Sequence, residues 1–142
     1  MAERLMRIGE VAERVELSIV TIRHYEEVGL VVPSARSQGG FRLYTDTDID
    51  RLVLIRRMKP LGFTLEQMAD LLSIYDELSG RTPTAAGART NLLARLVGYR
   101  EDAVKRGTKL RQQVQYAEDF IAMLTDRITE LDGSTRKPNP PA

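Results

Sequence analysis

Residues 18–30 read SIVTIRHYEEVGL, and this stretch carries the signals of a short helix at both of its ends. Ser18 is a favoured residue at the N-cap of a helix, and Gly29 suits the left-handed conformation in which many helices end. Ile22 and Tyr25 are spaced to share one face between these signals. The stretch therefore predicts a short helix that buries one apolar face and leaves its other polar and aromatic side chains to be explained.

A second short helix is predicted immediately upstream. Four apolar residues recur there at the spacing of one helix face: Ile8, Val11, Ala12 and Val15. The pattern predicts a helix that begins near Ile8 and ends before a brief turn at Glu16 and Leu17. Two short helices joined by so tight a turn form a helix-turn-helix.

The segment downstream predicts a β-hairpin, or wing. Two stretches that favour strands, Val31–Val32 and Phe41–Tyr44, flank a Gly-Gly turn. Strand alternation places Phe41 and Leu43 on one face and Arg42 and Tyr44 on the other, and we expect the second face to be exposed. An exposed arginine and tyrosine there suit contact with a nucleic-acid backbone, although a solubilising arginine beside a packed tyrosine is the alternative.

Two further helices are predicted from capping boxes, in which a threonine at the N-cap pairs with a polar residue three positions later. The pairs are Thr45 with Asp48 and Thr64 with Gln67. Pro60 and Gly62 are expected to end the third helix. The apolar face of the fourth helix is predicted to consist of Met68, Leu71, Leu72 and Tyr75.

The longest regular pattern in the chain follows a predicted loop at residues 76–87. Apolar residues alternate there in steps of four and three, with one stutter at Gly107: Leu92, Leu96, Tyr99, Ala103, Leu110, Val114, Ala117, Ile121, Leu124, Ile128 and Leu131. A helix over residues 88–131 would be roughly 65 Å long. A core of this size cannot cover it, so the seam predicts dimerisation with a second copy. Residues 132–142 are predicted to be disordered.

Composition narrows the possible functions. The chain has 142 residues, a net charge of +1, no cysteine and one histidine, His24. These numbers disfavour disulfides, thiolate metal sites and a nucleophile–base pair, so we do not expect an enzyme, a metal or another cofactor. The stretch from Val28 to Thr45 has two arginines and no acid, a local basic patch that suits nucleic acid. The absence of a membrane-length apolar run and of a signal peptide predicts a cytoplasmic protein.

Four motifs stand in order over about half the chain: IGEVA, S-x-x-TIR-x-YE-x-x-GL, R-x-x-GG-FR-x-Y and LGFTLE. Together they resemble the DNA-binding domain of the MerR family of bacterial transcriptional regulators. The resemblance implies a mainly α fold: a winged helix-turn-helix domain over residues 6–75, then a dimerisation helix that forms an antiparallel coiled coil. It also implies a homodimer that binds and distorts double-stranded promoter DNA beside RNA polymerase.

The resemblance also implies which residues contact DNA. Those expected on the recognition helix are Ser18, Val20, Thr21, Arg23, His24 and Tyr25. Those expected on the wing are Arg36, Phe41, Arg42 and Tyr44, with Arg7 contacting phosphate ahead of the first helix. Tyr25 is expected to pack its ring and expose its hydroxyl. A solvated helix face is the alternative for this stretch.

Two positions depart from the family pattern. His24 stands where the family usually has tyrosine or phenylalanine, and Glu16 stands where a turn glycine is common. Relatives that sense metals or redox state use cysteines, and this sequence has none, so such signals are not expected. A small organic effector is possible near Tyr75, Tyr99, Tyr116 or Phe120, with ordinary packing as the alternative. The competing function is an architectural accessory that bends DNA in recombination or packaging.

Overall fold

The computed structural model describes residues 4–80 and 86–133, and the chain divides into two compact units, one ending at Asp102 and the other beginning at Ala103. Part of the predicted loop, residues 81–85, and most of the predicted disordered tail, residues 134–142, lie outside the described residues.

The helix-turn-helix forms where it was predicted. Helix α1 spans Ile8–Val15 and helix α2 spans Ile19–Glu27. The side chain of Ser18 caps α2 by accepting a hydrogen bond of 3.0 Å from the amide of Thr21. Between the helices, Glu16 takes a left-handed conformation with φ of +56°, which is uncommon for a residue with a side chain. The turn that glycine usually makes is therefore made here by glutamate.

Three short strands form one antiparallel sheet in the order β1–β3–β2. Their bounds are Met6–Arg7 for β1, Ala35–Arg36 for β2 and Arg42–Tyr44 for β3. The hairpin of β2 and β3 forms the predicted wing, but the prediction of its first strand at Val31–Val32 is wrong: that strand lies at Ala35–Arg36, close to the Gly-Gly turn. Strand β1 was not predicted, because a strand of two residues is too short to show alternation.

Helices α3 and α4 complete the folded part of the chain over residues 4–80, which we call the head. Helix α3 spans Asp46–Met58, a 3₁₀ turn spans Lys59–Leu61, and α4 spans Leu65–Leu78. Both predicted capping boxes are present. The prediction of Tyr75 on the buried face of α4 is wrong: this side chain is 45% exposed, whereas Ile74 is fully buried. Tyr75 stays exposed because it borders an open groove between α3 and α4.

The core of the head draws on every helix and on β3. Its fully buried side chains include Val11, Val15, Ile22, Tyr25, Tyr44, Leu52, Ile55, Met68, Leu72 and Ile74. These residues hold α2 by one face only, so the opposite face of α2 is available to a ligand.

Helix α5 spans Ala88–Asp132. Leu92 is only 3% exposed within its own chain, so its predicted place on a partner-facing seam is wrong. Tyr99 also contacts its own head, through Phe63 and Asp70. The first turns of α5 therefore pack on the head, while Leu96 and Ala103 remain half-buried.

The second unit consists of the rest of α5, and its apolar seam has no cover within the described residues. On an ideal helix, at about 100° per residue, the predicted seam residues beyond Gly107 lie within an arc of about 100°. They are all exposed: Leu110, Val114, Ala117, Ile121, Leu124, Ile128 and Leu131. None of the described helices combines the length and apolar character that a membrane-spanning segment needs.

Candidate nucleic-acid interface

The outward face of α2 is the centre of the candidate interface. Val20 is 76% exposed, and Arg23 and His24 are also exposed on this helix. Ile22 and Tyr25 point the other way, with exposures of 0% and 1%. The face that reaches solvent therefore combines an apolar side chain with two hydrogen-bond donors.

Tyr25 lies in the core with its hydroxyl as well as its ring, so the prediction of an exposed hydroxyl is wrong. Burial raises the pKa of this phenol above its ordinary value. The backbone carbonyl of Tyr25 accepts hydrogen bonds from the amides of Leu30, at 2.9 Å, and Val31, at 3.4 Å. Tyr25 thus anchors the recognition helix and the chain that leaves it, and it does not present a group to a ligand.

The first turn of α2 carries two hydroxyl groups at the interface. The Ser18 and Thr21 hydroxyl oxygens lie 2.8 Å apart, and Ser18 also caps the helix. Ser18 is exposed and Thr21 half-buried. Hydroxyls and free amides at the start of a helix are suited to phosphate oxygens.

The tip of the wing is a tight turn closed by its own hydrogen bonds. The Ser37 amide donates to the Phe41 carbonyl at 2.9 Å, and Gly40 has a φ of +80°, which requires glycine. Arg36 donates to the Gly40 carbonyl at 3.1 Å. The turn leaves the Phe41 side chain 57% exposed.

Arginines from three separate elements surround a cleft beside this turn. The guanidinium of Arg7 lies over the Phe41 ring, 4.8 Å from its centre, in a cation–π contact. The cleft has a volume of about 320 Å³ and is lined by Arg7, Ile8, Gly9, Arg23, Gly40, Phe41 and Arg42. A concave surface with three guanidinium groups attracts an anion such as a nucleic-acid phosphate.

The wing faces the opposite way from the prediction. Alternation pairs Arg42 with Tyr44, but Tyr44 is fully buried. Among the described residues its hydroxyl has no hydrogen-bond partner. This face is covered because α1 and α3 pack against the sheet. Arg42 is half-buried on the same side, where its Nε lies 2.5 Å from a carboxylate oxygen of Glu26.

The aromatic residues considered for an effector differ in their surroundings. Tyr116 and Phe120 are 62% and 56% exposed. Tyr75 lines the groove between α3 and α4, about 250 Å³ in volume, beside the ion pair of Arg51 and Asp76 at 2.6 Å.

Tyr99 belongs instead to a packed joint between α4 and α5. Its hydroxyl donates to Asp70 at 2.6 Å, its ring packs on Phe63 with centroids 6.1 Å apart, and Arg95 also pairs with Asp70. Burial, followed by the bond to Asp70, raises the pKa of Tyr99 to about 12. The same hydrogen bond lowers the pKa of Asp70. Ordinary packing explains Tyr99.

Two family models match successive, overlapping parts of the chain. The model described as MerR HTH family regulatory protein matches residues 6–73, and the model described as MerR, DNA binding matches residues 49–115. The chain belongs to the MerR family. The matched residues contain both the winged head and the first half of α5.

Curated relatives support this membership over part of their length. An Escherichia coli HTH-type transcriptional regulator, ZntR, is 47% identical over 70 residues, which are 49% of this chain and 50% of that protein. The mercuric resistance operon regulatory protein of Bacillus cereus is 43% identical over 70 residues, 49% of this chain and 53% of that protein. The chain thus spans about half the length of these MerR relatives.

A solved MerR structure shares the fold over nearly the whole chain. It is HiNmlR, described as a MerR family regulator lacking the sensor domain and bound to promoter DNA. The TM-score is 0.65, with 97% of this chain and 98% of that chain covered at 20% sequence identity. At that identity the likeness establishes the fold alone.

The fold brings four of the predicted site residues together at the cleft, and one important residue beside it was missed. Arg7, Arg23, Phe41 and Arg42 meet at the cleft, whereas Tyr25 and Tyr44 serve the core. Glu26 was not predicted as a site residue, because a negatively charged carboxylate is not expected to contact DNA. Its place directly after Tyr25 in the YE motif was the available signal.

Proposed function

We propose that this protein is a sequence-specific, DNA-binding transcriptional regulator that acts as a homodimer and distorts promoter DNA. The observation that carries the proposal is the exposed face of α2, with Val20, Arg23 and His24, beside a wing and an arginine-lined cleft. An exposed recognition helix of this kind fits the major groove. Membership of the MerR family and the regulatory names of its relatives support transcription as the process.

The proposed contacts divide into base contacts and backbone contacts. Val20 is placed to make apolar contacts with thymine methyl groups, and Arg23 and His24 to reach base edges or nearby phosphates. Arg7 and Arg36 would contact phosphates, which position the protein without reading sequence. Ser18 and Thr21 would bind a phosphate at the start of α2.

The proposed partner along α5 is a second copy of this chain. The exposed seam from Leu110 to Leu131 is apolar over several helical turns and resembles one side of a coiled coil. Antiparallel pairing of two such helices would bury both seams and present two heads. Two-fold symmetry of the protein then calls for two half-sites in the DNA, separated by a multiple of about 10 base pairs.

DNA distortion and an effector complete the proposed mechanism. Two linked heads can bend and untwist the DNA between their half-sites, so that RNA polymerase engages a promoter whose spacing is otherwise unsuitable. A small organic molecule suits this sequence better than a thiophilic metal as effector, because the sequence has no cysteine. Action on promoter DNA places the protein in the cytoplasm.

Fluorescence anisotropy tests DNA binding directly. The duplex upstream of the coding sequence and a random duplex of equal length are titrated with protein at several salt concentrations. We expect the upstream duplex to bind at least about 1,000-fold more tightly, as specific regulators do. Equal affinity for both duplexes with the same salt dependence would contradict sequence-specific binding.

Transcription in vitro separates a regulator from an architectural accessory. The template carries the upstream region and is transcribed with and without the protein. A regulator changes the rate of initiation at that promoter and leaves a control promoter unchanged. An accessory that bends DNA leaves initiation at both promoters unchanged.

A further inference from the structure

A buried carboxylate lies directly behind the DNA-facing cleft. Glu26, in the last turn of α2, has a side chain that is only 9% exposed. Its Oε2 lies 2.5 Å from Nε of Arg42, an ion pair without hydrogen-bond geometry that joins the recognition helix to strand β3 of the wing. Arg42 is 35% exposed and lines the cleft. One of the three cleft arginines therefore already has a counter-ion.

The strand register gives a reason for that counter-ion. Arg42 stands directly opposite Arg36 in the antiparallel pair of β2 and β3. Like charges in directly opposite positions destabilise a sheet. Arg36 donates to the Gly40 carbonyl, and Arg42 turns toward Glu26. The carboxylate thus offsets the repulsion that the hairpin would otherwise carry.

The burial of Glu26 opposes a change in which Arg42 leaves this carboxylate and pairs with a DNA phosphate instead. The other oxygen of Glu26, Oε1, is buried and has no hydrogen-bond partner among the described residues. If Arg42 left to contact DNA, the whole carboxylate would stay buried without its counter-ion, which is far less favourable than the paired state. The pair is therefore expected to persist when DNA binds.

We propose that Glu26 is a positioning residue, which fixes the wing to the recognition helix through Arg42, and that Arg42 makes no phosphate contact of its own. This inference rests on the proposed DNA-binding function and differs from the DNA contact that the family resemblance implies for Arg42. The neutral pair sets the distance between the wing and α2. Arg7 and Arg23 remain as the cleft arginines that contact phosphate.

Salt titrations of four variants test the pair. The variants are E26Q, R42Q, the double variant E26Q/R42Q and, as a matched control, E27Q, which removes the same charge from an exposed neighbour on α2. Each is titrated on the upstream duplex and on a random duplex. Thermal melting confirms that each variant folds.

The expected results separate positioning from contact. On random DNA, R42Q keeps the parent's salt slope, because no phosphate contact is lost. E26Q steepens the slope by about 0.9, because it frees one guanidinium to contact a phosphate. On the upstream duplex, E26Q and R42Q each reduce the preference over random DNA by at least about fivefold. The double variant loses no more than the worse single variant, because the two residues act as a unit.

Different results overturn the inference. A salt slope that flattens by about 0.9 in R42Q, with E26Q indistinguishable from E27Q, shows Arg42 to be a phosphate contact. If glutamine at position 26 or 42 prevents folding, R42K decides, since it keeps the positive charge and removes the guanidinium that lies against Glu26. The inference then requires that R42K keep the parent's salt slope and show a reduced preference for the upstream duplex over random DNA. A preference equal to that of the parent would refute the inference. Failure of the proposed function would look different, because the parent protein itself would show no preference for the upstream duplex. The salt slopes of the variants on random DNA would still show whether Glu26 and Arg42 remain paired.

Discussion

Removal of one hydroxyl at the joint between α4 and α5 should have a measurable cost. Tyr99→Phe deletes the bond of 2.6 Å to Asp70 and keeps the ring against Phe63. A hydrogen bond to a charged group contributes about 1.5–3 kcal/mol. The Asp70 side chain is 41% exposed, so water replaces part of the lost bond, and its pairing with Arg95 remains. We therefore expect a loss of about 1 kcal/mol, the lower part of that range.

The loss can be measured by urea and thermal unfolding, followed by far-ultraviolet circular dichroism at a fixed protein concentration. For a chain of this size, about 1 kcal/mol corresponds to a fall in Tm of roughly 3–5 °C. Tyr116→Phe is the matched control, because Tyr116 is 62% exposed and its hydroxyl accepts a bond from Gln112 on the helix surface. The control should change stability by less than about 0.5 kcal/mol. Equal effects of the two substitutions would contradict a stabilising role for the hydrogen bond between Tyr99 and Asp70.

The pH dependence provides a second check on the same joint. The folded-state pKa of Asp70 is lowered, so its contribution to stability is present above the ordinary value of 3.8 and is lost as pH falls through the lower folded-state pKa. The folded-state pKa of Tyr99 is raised from 10.0 to about 12, so its contribution is present below pH 10.0 and is lost as pH rises toward 12. The difference between parent and Tyr99→Phe should therefore shrink at both extremes. A difference that is constant across pH would contradict this account of the joint.

Two further predictions concern the turn of the helix-turn-helix and the seam of α5. Glu16 has φ of +56°, so Glu16→Val should be less stable than Glu16→Gly by about 1–2 kcal/mol in urea unfolding, and equal stabilities would contradict a strained turn. Ile121→Asp should shift the protein toward monomer in sedimentation equilibrium, because it places a charge on the exposed apolar seam. Gln112→Asp, about 180° away around the helix, should leave the mass unchanged, and a parental mass for Ile121→Asp would exclude this seam as the dimer contact.

The helices were predictable because their ends carry local chemistry. Ser18 caps α2, and the capping boxes at Thr45 and Thr64 mark the starts of α3 and α4, so each start was visible in a few residues. Capping depends on hydrogen bonds within one turn and hardly on tertiary contacts. The start of α5 at Ala88 was visible for a different reason, since the predicted loop ends at residue 87 and the long periodic pattern follows from Leu92.

Tertiary contacts explain the errors. The outward face of the wing could not be predicted, because strand alternation separates two faces without saying which one the helices cover. Helices α1 and α3 bury Tyr44 and thereby settle the question. Leu92 continues the periodic seam but packs on its own head, and periodicity does not distinguish these two kinds of burial.

The sequence predicted which residues lie at the candidate site better than it predicted how their side chains contact one another. The recognition helix exposes Val20, Arg23 and His24 as expected. The motifs did not reveal that Arg42 has a buried counter-ion in Glu26, since the two residues are separated in sequence and meet only when the wing folds onto α2. Pairings of that kind depend on tertiary structure.

Hydroxyl-radical footprinting on the native upstream region tests dimeric, sequence-specific DNA binding in one measurement. A dimer with two recognition helices should protect two half-sites whose centres are a multiple of about 10 base pairs apart on one face of the duplex. The half-sites should be related by approximate two-fold symmetry. A single protected half-site, or uniform weak protection along the whole fragment, would contradict a dimeric, sequence-specific regulator.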